Sequence, residues 1–280
     1  MAVLDKIRPA TIAIVDMQGV IGSGVRPLEH ARLLTRLRED ASVRAVVLNI
    51  DSPGGSAVGS DLMTQAVLRL RAEKPVVAFI GGLGASGGYM IAAAAHYIVT
   101  LPSALVGAIG VISYRPLVAD ALGRIGVQMR VAKSGRLKDM LSPFREATEE
   151  ERAKEQRLMD SLYELFVAGV ANGRRLPPER VRALATGEIY VAAEALTLGL
   201  ADRTGDIEDA IDWAMVQSGA PRRLRLVRPR RGLRDLALGR ASMAVGGALA
   251  GALGAELEAG LASGLGPGGY LYYAATPTGR

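Results

Sequence analysis

The chain has 280 residues, 34 of them glycine and few aromatic, a length that buries one large core or two small ones. It contains no cysteine, which excludes disulfides, thiolate metal sites and a cysteine nucleophile. The formal charge of +6 is concentrated in Arg222–Arg240, where eight arginines and one acid make a local +7. The rest of the chain is therefore close to neutral, and with no aromatic interleaving in the basic run, nucleic acid is not expected as a partner.

At the start, Asp5, Lys6 and Arg8 interrupt the sequence, and the apolar stretch Thr11–Met17 has only the length of a strand. Neither a secretory signal nor a spanning helix is expected there, which suggests a cytoplasmic protein. Strands are predicted over Thr11–Val15, Val43–Ile50, Pro75–Ile80, Tyr97–Thr100 and Val127–Val131. Most are apolar without alternation, as in strands covered on both faces. Helical spacing falls between them at Leu28–Glu39, Ser56–Ala72 and Ser86–Ala95, with Pro27 placed where a helix can begin. Strand–helix–strand repetition implies an α/β fold, with a mainly parallel sheet and flanking helices.

Beyond Pro143 the pattern is helical. Thr148–Ala171 is a long amphipathic helix whose first turn carries Glu149, Glu150 and Glu151, suited to the positive end of the helix dipole. Further helices are expected at Pro178–Ala185, Ala192–Leu198 and Ile207–Gln217. The globular domain is expected to span residues 1–220. Residues 221–280 form a C-terminal extension: the arginine run, a Gly/Ala-rich segment Ala241–Ala255, and a tail containing Tyr270, Tyr272 and Tyr273. The extension suits ring assembly or reversible contact with anionic lipid, peripheral at the inner face of the membrane. Its tyrosine tail could dock in a neighbour's groove.

Three segments can carry chemistry. In Gly81-Gly-Leu-Gly-Ala-Ser86-Gly-Gly-Tyr-Met90, a serine follows a buried strand and opens a helix, with five glycines in ten residues. Unpaired N–H groups at that helix start could hold an oxyanion beside Ser86, or Ser86 could simply cap the helix. The segment fits G-x-S-x-G, whose usual partners are an acid and a histidine. The only histidines are His30, read as a surface residue, and His96, placed at the far end of the same helix about 15 Å away at about 1.5 Å per residue. Lysine is the remaining base. Of five lysines, Lys133 and Lys138 share a loop, Lys133-Ser-Gly-Arg-Leu-Lys138-Asp-Met-Leu-Ser-Pro143. Lowering a lysine pKa from about 10.4 to about 7–8 takes roughly 4 kcal/mol of destabilisation of its charged form. Leu137, Met140 and Leu141 could supply that for Lys138, although either lysine taken alone reads as a solvated loop residue. The third segment, Asn49-Ile-Asp51-Ser-Pro-Gly54-Gly55-Ser56, is a glycine turn able to present N–H groups to a carbonyl or to pair with a peptide, or else a plain strand–helix turn.

Together these segments resemble the signal peptide peptidase A family of serine peptidases. The family shows a D-S-P-G-G turn, here Asp51–Gly55, then an A-S-G-G-Y segment, here Ala85–Tyr89. A K-S-G-x-x-K-D stretch follows, here Lys133–Asp139, leading into S-P and an E-E-R helix. The similarity runs from about Thr11 to Trp213. It implies the fold shared by the Clp protease subunit and crotonases, with Ser86 as nucleophile and Lys138 as base. It also implies Gly87 as an oxyanion donor, with Gly54 and Gly55 as second contributors. The activity implied is endopeptidase cleavage of signal-peptide remnants or membrane-associated peptides, without metal or organic cofactor, by ring-like homo-oligomers. Two positions depart from the pattern: Ala108 stands where a serine hydroxyl often helps orient the lysine, and His96 where an acidic residue is common. A crotonase-like acyl-thioester enzyme and a weakly active protease-like scaffold are the competing readings.

Overall fold

In the computed structural model, which describes residues 9–229, the apolar runs and helical patterns alternate largely as their spacing predicts. The first half comprises β1 (Thr11–Gln18), α1 (Pro27–Glu39), β2 (Val43–Ser52), α2 (Ala57–Arg71), β3 (Val76–Ala85), α3 (Gly87–Ala93), β4 (Tyr97–Thr100) and β5 (Leu105–Gly107). There follow α4 (Ala119–Arg124), α5 (Glu149–Arg174), α6 (Pro178–Leu184), β6 (Ile189–Val191), α7 (Ala192–Thr197), β7 (Arg203–Thr204), α8 (Ile207–Ser218) and β8 (Leu224–Val227).

One eight-stranded sheet runs β6-β5-β3-β2-β1-β8, and β4 lies off this path, pairing with β3 and β7. Every pairing is parallel except β5 with β6. Strand β3 is unusual in dividing one of its edges. Its first part, Val77–Ile80, pairs with β4, and its last part, Leu83–Ala85, pairs with β5.

The central strands are covered on both faces, which explains their unbroken apolar sequence. In β2, Val46, Leu48 and Ile50 join the larger core cluster with residues of α1, α2, α3 and α5, whereas Ala45 and Val47 face the smaller cluster under α8. Fully burying each Val, Leu or Ile side chain contributes about 1.5–3 kcal/mol, so these strands anchor the fold. Helix α2 starts at Ser56, whose hydroxyl accepts the Gly59 N–H at 3.1 Å. Helix α5 begins with a capping box: Thr148 Oγ1 accepts from Glu151 N–H, and the Glu151 carboxylate accepts from Thr148 N–H at 2.9 Å.

Several expectations change. Val127–Val131 forms no strand, and all five residues are exposed, because no other described strand pairs with them. Strand β3 continues five residues past Ile80 through the glycine-rich stretch. His30 is buried, not superficial, with Nδ1 2.7 Å from the Arg26 carbonyl and Nε2 3.3 Å from that of Asp16. His96 falls beyond the end of α3. The boundary expected at residue 220 moves outward, because β8 pairs with β1 and extends the body to Pro229. Met1–Arg8, the later part of the arginine run, Ala241–Ala255 and the tyrosine tail lie outside the described residues. No described helix is long and apolar enough to cross a membrane.

Candidate active site

The site forms where β3 ends and α3 begins, at the carboxyl end of the parallel strands, the side where open α/β sheets place ligands. Leaving the strand, the chain turns sharply at Ser86, which takes φ 50° and ψ −124°. A non-glycine residue in that region is strained by roughly 1–3 kcal/mol and is held by its surroundings. Here the Ser86 N–H donates to the Gly107 carbonyl at 2.8 Å, and the Ser86 carbonyl accepts from Met90 N–H at 2.9 Å. Ser86 occupies the N-cap position of α3, yet its side chain makes no capping hydrogen bond. The backbone fixes the residue while its hydroxyl stays available.

Glycines let a second loop press against this turn. A Cβ on Gly54 would lie 2.7 Å from Gly87 N and 2.8 Å from Ser86 Cβ. One on Gly55 would collide with the backbone of Ile21, and one on Gly87 with Ser60 Oγ. The two loop glycines differ in their donors. Gly54 N–H donates to Ser52 Oγ at 3.1 Å, whereas the N–H groups of Gly55 and Gly87 have no hydrogen-bond partner among the described residues.

Ser86, Gly55 and Gly87 line a cavity of about 350 Å³. Its wall is apolar: Val58 from α2, Met90 from α3, Ile112 from the segment after β5, and Met159, Leu162 and Phe166 from α5. Asp61 and Ser113 are the polar side chains at its margin besides Ser86 and Ser60. No histidine lines it. His96 instead accepts the Val76 N–H at Nδ1, 3.1 Å away, and burial followed by the nearby Arg71 charge lowers its pKa. Both histidines are thus occupied elsewhere. No three His, Asp or Glu side chains among the described residues cluster as metal ligands.

Both loop lysines are exposed and lie outside the cavity lining. Lys133 Nζ is ion-paired with Asp139 Oδ1. Lys138 has no side-chain hydrogen bond or ion pair among the described residues, and its N–H closes a turn onto the Gly135 carbonyl at 3.0 Å. Leu137, Met140 and Leu141 flank it in sequence without removing it from solvent in the single chain. Sequence reasoning missed Arg145, which holds Asp139 and Glu151 together. The Glu151 carboxyl is lowered to about 2, first by hydrogen bonds from Arg145 and then by the Thr148 N–H. Asp139 is pulled down further still, by Arg145 and then Lys133. The expected loop was read for its lysines, and the Thr148/Glu151 capping spacing was the available signal for its anchor.

Ala108, the position lacking the expected hydroxyl, is left-handed at φ 48°, and its N–H donates to the Glu188 carbonyl at 2.7 Å.

The family model described as Peptidase family S49 matches residues 69–220, more than half of the chain. The chain belongs to peptidase family S49. That match takes in Ser86 and the lysine loop and begins after the Gly54–Gly55 turn. A candidate protease of Synechocystis sp. is 39% identical over 208 residues, covering 74% of this chain and 74% of that one. The chloroplastic serine protease SPPA of Arabidopsis thaliana is 30% identical over 231 residues, covering 80% of this chain but only 34% of the plant protein. The chain thus spans about a third of that longer relative. Among solved structures, a mutant of the membrane-bound stomatin-specific protease 1510-N superposes with a TM-score of 0.51 at 16% identity, covering 79% of this chain and 99% of that one. The S49 membership agrees with the resemblance to the signal peptide peptidase A family, and the α/β architecture is the one that resemblance implies. The chain is a serine peptidase by family.

Proposed function

We propose that this S49 chain hydrolyses peptide bonds by acyl transfer through Ser86, with Lys138 as general base. The observation that carries this reading is the strained, uncapped Ser86 lining an apolar cavity, beside two N–H groups with no partner among the described residues. Ser86 Oγ attacks the peptide carbonyl while Lys138 takes its proton, and the resulting oxyanion accepts from Gly87 N–H and Gly55 N–H. Lys138 then passes the proton to the departing amine. In the second half, it deprotonates a water that hydrolyses the Ser86 ester. The route requires no metal or organic cofactor.

The cavity favours an apolar side chain next to the scissile bond, held by Val58, Met90, Leu162 and Phe166. Remnants of signal peptides and other membrane-derived peptides supply such side chains. A neutral lysine requires shelter from water that the single chain does not give Lys138. A second copy supplies it: Ile112, Tyr114, Leu117, Met129 and Leu141, in the same part of the sequence, are exposed apolar residues that association would cover.

A fluorophosphonate probe should label the purified protein and fail to label Ser86→Ala. Lys138→Ala should fold normally and lose about 10²–10⁴-fold in peptide turnover. Labelling that persists in Ser86→Ala, or full turnover in Lys138→Ala, would refute the dyad. Mixing the two inactive variants tests the second copy, since activity returns only if one chain's lysine serves another chain's serine.

A further inference from the structure

Two arginines fasten the residues that follow Lys138 to one face of α5. Arg145 donates from Nε to Asp139 Oδ2 at 3.0 Å and from Nη2 to the Asp139 carbonyl at 3.3 Å. Its Nη1 and Nη2 also grip the Glu151 carboxylate at 2.8 and 2.5 Å, a bidentate arrangement that fixes direction as well as distance. Arg115 donates to the Met140 carbonyl at 3.0 Å and lies 3.5 Å from Glu155 Oε2. Glu151 and Glu155 are four residues apart, one above the other on the helix.

The same helix carries the cavity wall. Glu155 Oε1 accepts from Ser113 Oγ at 2.9 Å, and Ser113 lines the cavity. Met159 and Leu162 follow on α5, with Met159 about 12 Å along the axis from Glu151. Glu151 is only 3% exposed and is itself fixed by the Thr148 capping box. One rigid rod therefore holds the lysine turn at one end and the substrate wall further along.

We infer that Arg145 with Glu151, and Arg115 with Glu155, form a two-rung clamp that positions Lys138 by fixing its turn on α5. The inference rests on Lys138 being the base, as proposed above. A flexible lysine must reach hydrogen-bond distance of the serine, and an error of about 1 Å in such placement costs about 10²-fold in rate. The turn has no regular secondary structure to provide that accuracy. The clamp also engages the Asp139 carboxylate, shared between Arg145 and Lys133, so that the acid adjacent to Lys138 does not pair with it.

The test is a double-mutant cycle on the full chain, with kcat and KM measured on an apolar peptide and melting temperatures recorded alongside. Arg145→Ala should lower kcat about 30–100-fold with KM within about twofold, and Arg115→Ala about 5–10-fold. Arg145→Lys, which keeps the charge but not the fork, should recover part of the loss. Because Arg145 acts through Lys138, the pair Arg145→Ala/Lys138→Ala should be no slower than Lys138→Ala alone. If Lys138→Ala is inactive but Arg145→Ala stays within threefold of the parent, the clamp is wrong and the dyad stands. If the double variant loses both factors in full, Arg145 does not act through Lys138, and the clamp is again wrong. If Lys138→Ala is fully active, the base assignment falls and takes the clamp with it. Should Arg145→Ala fail to fold, Arg145→Lys and Arg115→Ala decide the matter by the same comparison.

Discussion

Ser86 could be read from sequence as either a nucleophile or a helix cap, because both uses place a serine before a helix. The backbone separates them: the residue sits at the capping position in a conformation few side chains accept, and its hydroxyl makes no capping bond. The glycines around it could be counted in the sequence, but their separate duties could not. Gly54 gives its N–H to Ser52 and is glycine because it lies against Ser86 and Gly87, at φ 91°. Gly54→Ala should therefore push the Ser86 turn out of place and cut the fluorophosphonate labelling rate by about 10²-fold, the cost of about 1 Å of displacement. Labelling at the parental rate would show that the two loops need not touch. Spacing likewise placed Lys133 and Lys138 in one loop, with apolar Leu137, Met140 and Leu141 around Lys138. What further separates them is a salt bridge from Lys133 to Asp139, a contact the sequence order does not reveal.

At the scale of elements, the long strands and helices were legible because they are buried on both faces or carry clear caps. The two-to-four-residue strands β5, β6, β7 and β8 were not, since so short a strand is defined by its neighbour more than by its own residues. The converse error is instructive. Val127–Val131 has apolar residues at alternating positions, yet no described strand pairs with it, and Val127, Met129 and Val131 face solvent. Helix α5 was found within a few residues, but its close crossing with α3 was not. A Cβ on Gly173 would strike the Ala93 carbonyl, so the helix that begins after Ser86 and the helix that walls the cavity meet there backbone to backbone. Gly173→Val should overpack this crossing and lower unfolding free energy by about 1–3 kcal/mol in urea titrations. An unchanged midpoint would mean the two helices can part without cost.

Over the whole molecule, the parallel order around β1, β2 and β3 follows from strand–helix alternation. The sheet's outer members come from chain far downstream, β6 and β7 flanking β5 and β4, and β8 flanking β1. That is why the resemblance to a known family could indicate the architecture while local patterns stopped short of it. The divided edge of β3 has a consequence for how the molecule opens. Strand β4 itself is buried apart from Tyr97, with only the two exposed residues of β7 beyond it, whereas the β5–β6 branch exposes Leu105, Ile189 and Val191, at 40%, 47% and 51%. A short branch with one open face can detach as a separate unit while the rest of the sheet remains intact. Native-state hydrogen exchange should then show the amides of Leu105–Gly107 and Ile189–Val191 exchanging together, ahead of Ile98–Thr100. Exchange of both branches only with global unfolding would show instead a single cooperative block. The Ser86 amide is bonded to Gly107, so earlier opening of that branch would make the fraction of molecules ready to react a local equilibrium, set apart from the stability of the fold.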